Sequence, residues 1–365
     1  MSSMFDYTEI NGMQLVNRFV RSATWEGLAA NDGSITQPLV DTMVNLAQGD
    51  IGLIITSHAY VRPDGQAGPW QIGVSNDSFV AGLRQMTDAV HQYKSKIVLQ
   101  LAHGGMFAPQ NLTGQLPLVV SDDPDSEKPP NRLITEQDVR DLTDAYAQAA
   151  MRAKKAGFDG VQIHSAHGYL LSQFLSPAYN YRKDKYGGDI NNRSRALLEI
   201  YHAIRDAVGK NYPILIKINC QDFIENGLNL ADSVQVGQLL AEAGIDAIEL
   251  SGGVLTSKKL SPSRPVRSNT EEVPYYINEA AEFKNAVNVP LILVGGIRSF
   301  QMAESLITAG TADYIAMSRP LIREPHLISR WKKGEFNKAE CKSDNRCFRL
   351  VMAGKGMSCD MIGDK

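Results

Sequence analysis

The sequence predicts an α/β protein of the (β/α)8, or TIM, barrel class, and three observations carry that reading. Short β-branched runs alternate with longer amphipathic ones, and the pattern repeats eight times. Several of the short runs are almost continuously apolar, as strands buried on both faces of a parallel sheet should be. The segments after the short runs are long, at 57–77, 103–134, 165–190 and 251–272, and hold many Gly, Pro and aromatic residues. Those leading from helix to strand are short, so the long loops gather at one face, where barrel active sites sit. An open doubly wound sheet is the rival arrangement.

In chain order the expected strands are Phe19–Ala23, Ile51–Thr56, Lys96–Leu101, Gly160–His164, Ile214–Asn219, Ala247–Ser251, Leu291–Val294 and Tyr314–Met317. Between them lie helical patterns with readable ends. Thr135-Glu136-Gln137-Asp138 resembles a capping box with Asp where Glu is usual. Behind it Val139, Leu142, Tyr146, Ala149, Ala150 and Ala153 keep helical spacing, and Gly157 offers a stop. A second such helix starts near Ser299, turns Met302, Ala303, Leu306 and Ile307 inward, and stops at Gly310.

The chain has 365 residues, 43% of them hydrophobic, enough for a large core, and no linker or low-complexity tract divides it. Residues 1–335 read as one barrel domain and 336–365 as a basic, Cys-containing tail packed on or near it. Net charge is −3 without a dense basic run, which argues against nucleic acid or an anionic membrane as partner. No apolar run reaches the ~18 residues of a membrane span, and Met1-Ser2-Ser3-Met4-Phe5-Asp6 lacks the regions of a signal peptide. Four cysteines, three of them near the C-terminus, do not form a secreted disulfide framework. A cytoplasmic enzyme acting on a small molecule is expected, and self-association is left open.

The strongest local signal is Gln162-Ile163-His164-Ser165-Ala166-His167-Gly168-Tyr169. A buried strand ends near His164 and Gly168 marks a turn, so two imidazoles and a phenol emerge together at the functional face. Two neutral imidazoles can each donate an N–H to a carbonyl oxygen and hold the negative charge of conjugate addition. A tyrosine nearby can protonate the adjacent carbon. The competing readings are a metal pair, for which no third ligand has suitable spacing, and histidines satisfied within a core.

Lys217 stands inside Ile214-Leu215-Ile216-Lys217-Ile218-Asn219, where an ammonium is costly unless an anion meets it. A lysine snorkelling from a strand end is the alternative. Gln100, in Ile97-Val98-Leu99-Gln100-Leu101, is an amide in an apolar strand, suited to the edge of a heterocycle or to a structural hydrogen bond. Val294-Gly295-Gly296-Ile297 and Ala316-Met317-Ser318-Arg319-Pro320 close the last two strands. Glycines and a polar turn there can make the usual phosphate site of a barrel, with Arg319 as a further donor.

Six motifs taken together resemble the old yellow enzyme family of flavin oxidoreductases. They are Asn17-Arg18-Phe19-Val20, Gln100-Leu101-Ala102-His103, His164-x-x-His167-x-Tyr169, Asn180-x-Arg182, Tyr186-Gly187-Gly188 and Ser318-Arg319-Pro320. Each is weak singly, but their order and spacing are specific, and the resemblance runs from about Phe5 to the final helix. It implies bound FMN and NADPH or NADH as hydride donor. Gln100 would face the pyrimidine edge of the flavin, and Lys217 would stand near N1 and O2 and stabilise the anionic reduced form. Ser22, Ala23, Thr24, Trp25 and His58 would line the ring system, while Gly295, Gly296, Ser318 and Arg319 would hold the phosphate. His164 and His167 would bind the substrate carbonyl or the nicotinamide amide, with Tyr169 as proton donor.

The sequence departs from the family at three places. Pro is frequent where Ala23 stands, and Thr or Cys where Trp25 stands, which bears on flavin potential and substrate shape. Ser318 replaces a common Gly. In the tail, Cys341, Cys347 and Cys359 are similar to the iron–sulfur motif of larger relatives, C-x2-C-x2,3-C and a distant Cys, with Asp344 at the second position. A cluster normally takes four thiolates, so no metal is expected. The resemblance implies ping-pong reduction of the activated C=C bond of α,β-unsaturated carbonyl compounds. The alternatives are a flavin-dependent amine or alcohol-type dehydrogenase, and a colourless, flavin-free barrel lyase or isomerase acting on a phosphorylated metabolite.

Overall fold

The computed structural model describes residues 3–122, 130–266 and 273–360; parts of the predicted loops 103–134 and 251–272 lie outside them. Eight parallel strands close into a barrel: β1 (Phe19–Arg21), β2 (Leu53–Tyr60), β3 (Lys96–Ala102), β4 (Gly160–Ser165), β5 (Ile214–Asn219), β6 (Ala247–Ser251), β7 (Leu291–Val294) and β8 (Tyr314–Met317). Each pairs with its sequence neighbour, and β8 returns to β1 through Ile315 opposite Phe19. The open-sheet alternative is excluded by that closure.

Helices α1 (Gln37–Gln48), α2 (Val80–Val90), α3 (Glu136–Lys155), α4 (Ile190–Val208), α5 (Leu230–Ala243), α6 (Ile277–Ala286) and α7 (Phe300–Thr308) follow the first seven strands. Helix α3 starts at the capping box, where the Thr135 hydroxyl accepts from Asp138 N at 3.1 Å and the Asp138 carboxylate accepts from Thr135 N at 2.8 Å. Gly157, with φ +89°, follows its last turn. Helix α7 is capped by Ser299 and buries Phe300, Ala303, Leu306 and Ile307, with Met302 half-buried. Two short helices, Arg319–Arg323 and Leu327–Lys332, complete the last unit.

The interior is layered. Period-two alternation turns Val20, Leu53, Ile55, Val98, Leu215, Ala247, Ile292 and Tyr314 into one apolar cluster. An antiparallel hairpin, Thr8–Ile10 with Met13–Leu15, lays Ile10, Met13 and Leu15 against that cluster and closes this end. Two residues further along the strands the inward positions become polar, at Ser22, Gln100, Lys217 and Glu249. The functional end of the barrel starts at that layer.

Four expected strands agree residue for residue; β1, β3 and β4 differ at their C-terminal ends by one or two residues. The second is displaced: Ile51–Thr56 was expected, and Leu53–Tyr60 is observed. The strand outlasts its apolar run because pairing with β3 resumes beyond a register shift between Ile55 and His58. Among the described residues no helix is long and apolar enough to cross a membrane.

Candidate active site

The polar layer is one connected network. Glu249 is fully buried, and its Oε1 lies 3.0 Å from Lys217 Nζ. The same oxygen accepts from Ser22 Oγ at 2.6 Å, and Lys217 Nζ donates to Ser22 Oγ at 2.8 Å. Glu249 Oε2 accepts from Gln162 Nε2 at 2.8 Å, and Gln162 Oε1 accepts from Gln100 Nε2 at 2.7 Å. The anion that the Lys217 ammonium requires is therefore supplied by the chain itself, directly opposite in the β5–β6 register. Sequence reasoning missed Glu249, although Ala247-Ile248-Glu249-Leu250-Ser251 carries the same signal as Lys217, a charge in an apolar strand. Gln162 was read only as part of a motif.

Above this layer lies a cavity of about 450 Å³. Ser22, Ala23, Thr24, Trp25, His58, Gln100, His164, His167, Tyr169, Lys217, Gly295 and Ser318 all line it, so the barrel gathers these predicted residues from distant parts of the chain. Gly296 and Arg319 line an adjoining cavity of about 100 Å³ that shares Thr24, Gly295 and Ser318 with the first. The mouth also holds residues that sequence reasoning did not find: Leu255, Tyr276, and Phe348, Met352 and Met357 of the tail. Met357 N is tied to Glu26 O at 2.7 Å, so the tail forms part of the cavity wall.

His164 ends β4, and the chain then turns through two left-handed residues, His167 (φ +65°) and Gly168 (φ +85°). A histidine in this region costs about 1–3 kcal/mol and needs support from its surroundings. Here His167 N donates to Asn219 Oδ1 at 3.1 Å, and Gln173 Nε2 donates to Gly168 O at 2.6 Å. The turn packs three rings together, His164 edge-on to His167 with centres 5.2 Å apart and tilted against Tyr169 at 4.7 Å. His167 Nε2 lies 2.8 Å from Ser251 Oγ, which leaves Nδ1 as its other nitrogen. His164 Nδ1 is buried and has no hydrogen-bond partner among the described residues. The Tyr169 hydroxyl lies 3.2 Å from His58 Nε2. Burial above all, with the nearby imidazoles and the Lys217 ammonium adding to it, lowers both His164 and His167 well below the ordinary imidazole range. Both rings are neutral at physiological pH and act as dipoles rather than charges.

Two expected donors are already engaged. Arg319 gives hydrogen bonds to Arg264 O at 3.1 Å, Ser343 O at 3.2 Å, Asn345 Oδ1 at 2.6 Å and Tyr275 OH at 3.2 Å. The Ser318 hydroxyl is bonded to Thr24 Oγ1 at 2.7 Å. The Trp25 indole N–H points to Pro69 O at 3.2 Å.

Residues 3–338 match the NADH:flavin oxidoreductase / NADH oxidase family. The chain belongs to this family. It is 36% identical over 351 residues to the NADH oxidase of Thermoanaerobacter brockii, a match covering 94% of this chain and 53% of that protein. The chain thus spans about half the length of that relative. It is 32% identical to the NADPH dehydrogenase of Bacillus subtilis, over 88% of this chain and 92% of the relative. The old yellow enzyme homologue from Zymomonas mobilis superposes with a TM-score of 0.78 at 26% identity, covering 94% of this chain and 96% of that one.

The family is one of NADH:flavin oxidoreductases, so membership makes FMN the group to test against this site. The flavin-free lyase reading falls with that membership. The residues present fit the cofactor. The larger cavity is floored by the Gln100 amide and the Lys217 cation, and the adjoining one runs over Gly295 (φ +113°) and Gly296 (φ +80°). A Cβ at Gly295 would stand 2.8 Å from the Tyr275 ring, and one at Gly296 2.4 Å from Val273 O. Only glycine keeps that cradle open.

In the tail, Cys341, Cys347, Cys359 and Asp344 line one cavity of about 390 Å³ together with Arg319 and Arg323. Among the described residues no group of three or more His, Cys, Asp or Glu side chains is arranged to hold a metal ion. With three thiols and one carboxylate, anaerobically purified protein is expected to carry no stoichiometric iron. Iron analysis returning about four irons per chain would show that Asp344 completes a cluster.

Proposed function

We propose that the chain reduces the activated C=C bond of α,β-unsaturated carbonyl compounds with hydride from NADH or NADPH. The observation that carries this reading is the trio His164, His167 and Tyr169, packed ring to ring on one wall of the cavity whose floor holds Lys217. When bound, FMN supplies the relay of hydride from the nicotinamide to the substrate. Gln100, Lys217 and residues 22–25 would hold its ring system, and Gly295, Gly296, Ser318 and Arg319 its phosphate end. Because Arg319 and Ser318 already have partners, the backbone of the glycine cradle takes the larger share of that task.

His164 and His167 would donate to the substrate's carbonyl oxygen and stabilise the charge that develops there. Tyr169 would deliver a proton to the carbon beside the carbonyl. The tail residues Phe348, Met352 and Met357 give the mouth an apolar rim that favours hydrophobic substrates and excludes water. Abundant reduced nicotinamide makes the cytoplasm the matching compartment. A screen with an enone, an enal, a maleimide and a nitroalkene tests the reading. Turnover of none of them, beside rapid oxidation of an amine or alcohol, would replace it with the dehydrogenase alternative.

The His pair has its own test. Replacing His164 or His167 by Ala is expected to remove most binding of a phenol, seen as loss of a long-wavelength charge-transfer band, while FMN stays bound. The rate of enone reduction should fall about 10²–10³-fold, the usual cost of one such donor. Full phenol affinity in both variants would place the carbonyl site elsewhere.

A further inference from the structure

His58 reaches the cavity because β2 carries an extra residue. Ile55 pairs with Val98 and His58 with Gln100, so three steps along β2 match two along β3. Leu53 and Ile55 point into the barrel, and uninterrupted alternation would turn Ser57 inward and His58 outward. The bulge reverses this and re-aims His58 toward the site, as bulges beside active sites do. Its ring is centred 5.4 Å from Tyr169 and 6.4 Å from His164. Its Nε2 stands 3.2 Å from the Tyr169 hydroxyl.

We propose that His58 is the positioning residue for Tyr169, donating its Nε2–H to the phenol oxygen so that the phenol's own hydrogen faces the substrate. The inference rests on the reading of Tyr169 as proton donor and adds the group that makes the phenol an effective acid. Once the substrate carries the added hydride, the Tyr169 O–H bond breaks and a C–H bond forms at the carbon beside the carbonyl. The electron pair of the O–H bond remains on the phenolate oxygen, where the His58 N–H meets it. Water then returns a proton to the phenolate.

The surroundings make such a partner necessary. Burial pushes the Tyr169 phenol up to about 12, which leaves it a weak acid, and a hydrogen bond to the charged form offsets that rise. Burial, then the Lys217 ammonium, lowers His58 to about 4. His58 therefore stays neutral, with one N–H to give. The other titratable groups facing the pair are His164 on β4, His167 beyond it, and Lys217 with its partner Glu249 on β5 and β6. Among the described residues the phenol is hydrogen-bonded to His58 and to none of these groups.

The test compares His58→Leu, which fills the space without a donor, with His58→Gln, which restores an N–H. Tyr169 ionisation is read by ultraviolet titration of each protein against its Tyr169→Phe counterpart. Oxidation of the reduced enzyme by cyclohexenone is read by stopped flow. In His58→Leu the ionisation should move up by about one unit or more, and oxidation should slow by about tenfold or more. His58→Gln should recover most of both. In the Tyr169→Phe background His58→Leu should cost nothing further, because the two residues act as one unit. An unmoved Tyr169 titration, or an equal rate loss in the Tyr169→Phe background, overturns the proposal. If the wild-type protein reduces no enone, the functional reading fails, and the titration alone still decides the role of His58.

Discussion

Tyr169→Phe is expected to leave flavin reduction by NAD(P)H near normal and to slow reoxidation by cyclohexenone by about 10²–10⁴-fold, the usual worth of a positioned general acid. The phenol sits two residues beyond His167, across the turn at Gly168, and closes one wall of the cavity with the His164 ring 4.7 Å away. Hydride transfer from the nicotinamide requires no proton from this side chain. Reduction of an enone requires one at the carbon beside the carbonyl. Nitroalkenes should suffer less, because their nitronate can leave unprotonated. The substitution removes one oxygen and keeps the ring, so the tilted contact with His164 and the edge-to-face contact with Phe107 survive. A tyrosine that only packs the turn predicts small changes, or changes shared by both half-reactions. Stopped-flow measurement of each half-reaction decides, and equal slowing of both, or of neither, removes Tyr169 from the role of proton donor.

How much of this site could be read from the chain alone depends on how local each feature is. The strands of the barrel announce themselves because burial on both faces demands apolar runs, and a run such as Ile214–Asn219 ends where its neighbours end. Lys217 and Gln100 stand out for the same reason, as polar groups where the pattern forbids them. Glu249 breaks the same rule, yet its meaning lies in the pairing of β5 with β6, which no single segment contains. His58 was placed at the cofactor from family resemblance; the bulge that turns it inward is a property of the β2–β3 register and leaves no local mark. Arg319 was legible as a donor near the phosphate end, but its partners Ser343 and Asn345 belong to the tail, whose path over the barrel is set by packing. The tail's contribution to the cavity mouth was hidden for the same reason. Pattern within an element is readable, and contact between elements remote in sequence is not.

Lys217→Met is expected to produce two separable effects, because Lys217 faces both the cavity and Glu249. The side chains of the pair are 3% and 0% exposed, with 3.0 Å between Nζ and Oε1. Removing one partner of a buried ion pair leaves an uncompensated charge and typically costs about 3–5 kcal/mol of stability. Ser22 and Gln162 would still donate to Glu249, but neither carries the charge that the carboxylate needs. The double variant Lys217→Met with Glu249→Gln removes that charge, keeps an oxygen to accept from Gln162, and turns an NH2 toward Ser22 Oγ, which can accept once the ammonium is gone, so most of the lost stability should return. The cofactor effect should not return with it. The cavity floor then lacks its ammonium, so FMN should be held less tightly and its midpoint potential should fall, since the reduced, anionic form loses its counter-charge. Urea unfolding of the FMN-free proteins reads the first effect, and dye equilibration of the loaded proteins reads the second. A midpoint potential equal to wild type in the double variant would confine Lys217 to neutralising Glu249 and remove it from the flavin site.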